Sequence, residues 1–465
     1  MTTHSSRRSF LGKATLGALG VAGCLDRLQL LAQAPGERPS QDPDIQVLNP
    51  CNRVPVGIII DDSTCLVNLN RFAMPQFDLA FDGANQAYHK PWREWPAEIP
   101  DGFIRKFAEW SAAHGVKGKF SIVPYPACVG RLDRFLPGWS QRDLAESLEL
   151  IRSAMMPHYD IHPEMVTHTR VIDLKTGQPY PDHSLAFMEN WDWTKGRSAD
   201  ELAAYVAYAL DILKNAGLQC EGVTSPGGFG AGALPEYSRG VGEAVRTVFK
   251  VEIPHYFREV IDHGTESPAP RIEHAAHLDG PDPRCVVSIV ACTGDWTGGW
   301  DCVKPEGADR FITPDLQRGR MVEVIQRGEP ALMLAHWTGV YWNGQELGFK
   351  IFQEVVQRLQ ARFDNLIWMK LCELARYWAA KTLTRIERQG DTVLLRAPFA
   401  SPDFTISIPA RDGAVPALAT TGAQAPLAEA ANAGQLRSGT WIRQGRKMIV
   451  CFDLRKGMNR LACPA

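Results

Sequence analysis

Two adjacent carboxylates, Asp61 and Asp62, follow the apolar run Val54-Pro55-Val56-Gly57-Ile58-Ile59-Ile60. Neighbouring negative charges at the mouth of a buried strand are costly unless a cation or a proton-transfer task uses them. The competing structural reading is that Asp62 caps the turn through Ser63 and Thr64. His168 closes the stretch Met165-Val166-Thr167-His168-Thr169, and His162 precedes it by six residues. One aspartate with one or two imidazoles suits a hard-to-borderline divalent cation. His336 ends the apolar run Leu332-Met333-Leu334-Ala335-His336. Its imidazole, titrating near neutral pH, suits a general acid. Alone, each histidine reads more simply as a buried or surface side chain; their gathering with aspartates at strand ends argues for chemistry. Ser225, Asp295, Trp296 and Trp337 are candidate substrate contacts, and Trp300, Tyr341 and Trp342 could add stacking faces for a sugar. Taken singly, each of these aromatics reads first as a core or loop anchor. Lys119 and Glu164 are weaker candidates for the site, each near a strand end.

The elements that must position these groups alternate along the chain. Strands are expected at 54–60, 117–124, 159–169, 220–224, 286–292 and 331–336. Helices are expected at 101–114 with Asp101 as cap, and at 141–155, 199–216, 240–249, 318–328 and 347–362. Alternation of this kind predicts an α/β domain with parallel strands. If the sheet closes, the carboxyl ends of its strands share one face and carry the site. No glycine fingerprint for a dinucleotide follows the first strand. From about residue 381 short strands separated by glycine and polar turns predict a small β-sandwich-like domain. The expected division is 1–34 signal peptide, 35–49 linker, 50–380 barrel and 381–465 β domain.

Composition bounds the function classes. The chain has 465 residues, 50 Lys+Arg against 52 Asp+Glu and a formal net charge of −2, with no basic run to grip nucleic acid. Thirteen tryptophans are consistent with a carbohydrate ligand. None of the 11 cysteines forms a C-x-x-C pair, which argues against a cysteine zinc site. Arg7-Arg8-Ser9-Phe10-Leu11 and the apolar run after it resemble a twin-arginine export signal. Ala32-Gln33-Ala34 offers a cleavage site, and Val21-Ala22-Gly23-Cys24 a lipoprotein box that would leave a lipid anchor on Cys24. Either outcome predicts a periplasmic or extracellular protein without a membrane span.

A strand ending in Asp-Asp, one ending in His-Thr, a Pro-Gly loop and Leu-x-His, in that order, resemble the polysaccharide deacetylase family. This is the nodulation-type deacetylase domain of carbohydrate esterase family 4, and the resemblance covers roughly residues 54–340. It implies a distorted (β/α)7 barrel and metal-dependent removal of N- or O-acetyl groups from a glycan, with zinc as the usual cation. By the same resemblance Asp61 is the general base, Asp62 and His168 are metal ligands, and His336 is the general acid. Two positions depart from the family pattern. Ile172 stands where a second histidine is expected, which leaves His162 or Asp173 as the nearest third ligand, with His183 further off. Ser225-Pro226-Gly227 falls where the family carries an arginine. The alternatives are a non-catalytic carbohydrate-binding protein on this scaffold and another metal-dependent glycan hydrolase. A glycosidase needs carboxylates about 5–10 Å apart across a cleft, whereas Asp61 and Asp62 are neighbours in sequence.

Overall fold

A computed structural model describes residues 38–463, except 412, 421 and 422. The export signal, both processing sites and Cys24 lie outside the described residues. The chain is mixed α/β in its larger part and all-β at its C-terminal end.

Seven strands carry the site: β1 (Val54–Asp61), β2 (Gly118–Ile122), β3 (Tyr159–Pro163), β4 (Gly222–Thr224), β5 (His255–Val260), β6 (Arg284–Ala291) and β7 (Ala331–His336). One parallel sheet runs β7-β1-β2-β3, with Leu366–Trp368 added along the start of β1. A second runs β4-β5-β6 in parallel and ends on the antiparallel strand Arg271–Ala276. The sheets meet where Cys292 N–H donates to Leu332 O (2.8 Å) and Asp295 bridges Leu334. Among the described residues no ladder joins β3 to β4.

All eight residues of β1 are buried, which is why its sequence is apolar throughout rather than alternating. Gly118 permits the pairing of β2 with β1, since a Cβ there would sit 1.9 Å from the Ile58 carbonyl oxygen. The parallel register sets His336 directly beside Asp61 and Ser121 beside His162. Among the helices, Ala199–Asn215 begins with Ser198 and Glu201 capping each other. Asp101 is a first-turn residue rather than the cap, and its carboxylate accepts the Ser147 hydroxyl at 2.7 Å.

Several elements differ from expectation. The strand expected over 159–169 stops at Pro163, and Met165 and His168 beyond it take left-handed backbone (φ 54° and 62°) that turns the chain out of the sheet. The helix expected at 240–249 starts at Leu234. Leu371–Leu383 is a helix that crosses the expected boundary at 381, and within the expected linker Gln46–Val47 pairs antiparallel with Ser401–Pro409. Two five-stranded sheets make the C-terminal part, and Ile386, Leu395, Phe404, Ile406, Val450 and Leu461 share the core between them. Among the described residues no helix is long and apolar enough to cross a membrane.

Candidate active site

The carboxyl ends of β1 and β7 carry Asp61 and His336, and Lys119, near the start of β2, reaches Asp61 from the next strand. Asp61 is fully buried, and Lys119 Nζ donates to its Oδ1 at 2.5 Å. The same ammonium donates to Ile60 O (3.0 Å) and Ser121 Oγ (2.6 Å), so all three of its protons are used. A cation from β2 thus stands at Asp61, although the loop at Ser225-Pro226-Gly227 offers no arginine.

Asp62 follows in left-handed backbone (φ 59°), which turns its side chain from the strand toward the 164–168 loop. Its Oδ1 lies 2.7 Å from His168 Nε2, and Glu164 Oε1 lies 3.4 Å from the same nitrogen. Glu164 Oε2 also accepts the Asp62 backbone N–H at 2.8 Å. Asp62, Glu164 and His168 each offer a ligand atom, all within 4.8 Å of one another and all buried. Burial opposes charge on His168, but Asp62 and Glu164 outweigh it and raise its pKa to about 10. Burial likewise works to raise Glu164, yet its contact with His168 leaves it lowered overall.

Glu189 braces this loop from behind. Its carboxylate accepts the backbone N–H groups of Val166 (3.2 Å), Thr167 (3.1 Å) and His168 (2.6 Å), and the Tyr205 hydroxyl at 2.5 Å. Burial raises Glu189 to about 7 in spite of those donors. The brace fixes the loop in which Met165 and His168 hold positive φ.

On the opposite side His336 Nδ1 lies 2.7 Å from Asp295 Oδ2, and Thr297 Oγ1 donates to Asp295 Oδ1 at 3.0 Å. Burial disfavours the imidazolium, but Asp62, Asp295 and Asp61 together raise His336 to about 9. An imidazole held this way is protonated at neutral pH and presents Nε2 as its second donor.

Other expected site residues lie elsewhere. His162 does not join Asp62 and His168: the alternation of β3 aims it at His255, with the two Nε2 atoms 2.9 Å apart. Asp173 sits in the hairpin of Ile172–Asp173 with Gln178–Pro179 and accepts the Lys175 N–H. Glu164 takes the third place instead. Ser225 is fully buried, with its hydroxyl donating to Tyr237 at 2.8 Å. Trp296 is 4% exposed, packed on Phe311 and under Arg310. Trp337 is 0% exposed among Phe103, Phe107 and Phe120, so it has no face left for a ligand. The aromatic wall nearest His168 is formed by Phe77, Phe81, Tyr88, Trp191 and Trp300.

Sequence reasoning missed Glu189 and Tyr205 altogether, because neither carries a local motif. Lys119 did leave a signal: a charged residue at an alternating position of the buried strand Gly118-Lys119-Phe120-Ser121-Ile122.

No family model and no curated protein matches this chain. Among solved structures, similarity extends to one described as a probable polysaccharide deacetylase from Pseudomonas aeruginosa PAO1. That match is 14% identical with a TM-score of 0.32, and covers 51% of this chain and 65% of that one. Similarity also extends to PuuE allantoinase at 12% identity and a TM-score of 0.36, covering 60% and 72%. A third is endo-glycoceramidase II from Rhodococcus sp., at 13% identity and a TM-score of 0.28, covering 90% and 99%.

Proposed function

We propose that this chain is an exported metal-dependent hydrolase that removes acetyl groups from a glycan, on a distorted (β/α)7 barrel. The observation that carries the reading is the pairing of roles at the strand mouth. Asp61 is held by Lys119, Asp62 is grouped with Glu164 and His168, and His336 stands beside Asp61 with Asp295 behind it.

The donor set fits a divalent cation: two carboxylate oxygens and one imidazole nitrogen, mutually within 4.8 Å. Zinc is the cation we favour. Bound there, it would supply Lewis acidity to an acyl carbonyl and to the attacking water. Asp61 accepts the proton of that water, and Lys119 holds the carboxylate in position for the transfer. His336 delivers a proton from Nε2 to the departing amine or alcohol, while Asp295 retains Nδ1–H and steadies the imidazolium. Glu189 keeps His168 in place by binding the loop's backbone N–H groups. The wall around Trp191 and Trp300 offers the sugar an apolar face.

One observation favours a non-catalytic glycan binder. His168 Nε2 lies 2.7 Å from Asp62 Oδ1 and 3.4 Å from Glu164 Oε1, so the three side chains can also serve one another as an internal ion pair. Metal content separates the two readings. The hydrolase reading predicts that the Asp62→Ala, His168→Ala double variant loses one equivalent of divalent cation relative to the parent protein. A parent protein that takes up no cation at this group overturns it.

A further inference from the structure

Buried among the strands is a second cluster that the proposed reaction leaves unused. It consists of Asp160 and His162 on β3 and His255 at the start of β5, and each is buried. His162 Nε2 and His255 Nε2 face each other at 2.9 Å. Asp160 Oδ2 lies 3.8 Å from His255 Nε2 and also accepts the Cys372 backbone N–H. The three ligand atoms fall within 4.8 Å of one another.

Thr224 Oγ1 lies 3.4 Å from His162 Nδ1, and His255 Nδ1 has no hydrogen-bond partner among the described residues. Both rings turn Nε2 inward, toward a position that either a shared proton or a shared cation can fill. A spacing of 2.9 Å matches two nitrogens about 2.05 Å from one ion at a right angle, the geometry of adjacent ligands on an octahedral or square-planar ion. The backbone makes room for the pair: a Cβ on Gly222 would lie 2.5 Å from His255 Nε2, so only glycine leaves space for that ring. The nearby Lys119 charge is already matched by Asp61.

We propose that His162, His255 and Asp160 form a second divalent-cation site, separate from the Asp62–Glu164–His168 group, for a borderline transition metal such as zinc or nickel. The site is buried, so its ion is built in as the chain folds and serves to tie β3 to β5, between which no backbone ladder forms among the described residues.

The test is crystallographic, on the full-length protein produced and purified with Zn2+, and separately with Ni2+. Anomalous difference maps are recorded above and below each absorption edge. The proposal expects a peak between His162 Nε2 and His255 Nε2 with at least one of the two ions. It also expects a loss of one equivalent in the His255→Gln variant, with the ion at Asp62 retained. The absence of a peak between the imidazoles with both ions overturns it, whether or not that variant folds, and leaves a hydrogen-bonded histidine pair with one ring as the Nε2–H tautomer. The Asp62 group is read independently in the same maps, so failure of one site is not failure of the other.

Discussion

Replacing Lys119 by methionine removes the cation beside Asp61 while keeping a side chain of similar length. The two charges are 2.5 Å apart and both are 0% exposed. At that distance and an effective dielectric of about 20, their attraction is about 6–7 kcal/mol. Desolvation of the pair offsets part of this, and removing one partner of a buried pair costs about 3–5 kcal/mol. The Ser121 hydroxyl and the Ile60 carbonyl lose a donor at the same time. Lys119→Met alone should therefore destabilise the protein by about 3–5 kcal/mol. The Lys119→Met, Asp61→Asn double variant should recover most of that loss, because no lone charge is left buried. Urea unfolding of the four proteins in the double-mutant cycle gives the coupling energy directly. A coupling below about 1 kcal/mol, the level of an exposed pair, would refute the assignment of Lys119 as the group that holds Asp61.

Glu189→Gln replaces an acceptor of four hydrogen bonds by an amide that must turn donors toward donors; it should cost about 2–3 kcal/mol and weaken cation binding about 10–100-fold, read by chelator competition and thermal unfolding. Asp295→Asn removes part of the negative field that raises His336 to about 9. Turnover that needs protonated His336 is lost as pH rises through that value, so the basic limb of the rate profile should move to lower pH in this variant; an unmoved limb removes His336 as the acid. Lys381 is lowered to about 8 by burial from an ordinary value of 10.5. The unfolded chain therefore binds more protons between those values, and stability should rise with pH across that window. Below it the penalty is up to about 3 kcal/mol, and Lys381→Met should recover it at pH 7 in a melting experiment.

The parts legible in the sequence were those fixed by local pattern. The eight buried residues of β1 form one continuous apolar run, and the aspartates after it stand out against that background. The apolar run ending at His336 was legible for the same reason, and parallel register then sets it beside Asp61. What the sequence hid depends on backbone geometry and on register. The left-handed residues at Met165 and His168 turn Glu164 toward Asp62, and nothing local announces that turn. His162 alternates to the opposite purpose, toward His255. Trp337 follows His336 by one residue, which carries it to the other side and into the core. The helix Leu371–Leu383 buries residues all round, among them Leu371, Leu374, Tyr377 and Ala380, which blurs its period.

The most direct measurement is acetate release from a panel of N- and O-acetylated glycans by the Zn2+-loaded protein, beside an Asp61→Asn variant whose metal content is measured in the same preparation. The account predicts acetate from the parent protein and none from Asp61→Asn, with the cation at Asp62, Glu164 and His168 retained in both. Equal acetate release by the two proteins would contradict it, as would a loaded parent protein that releases none.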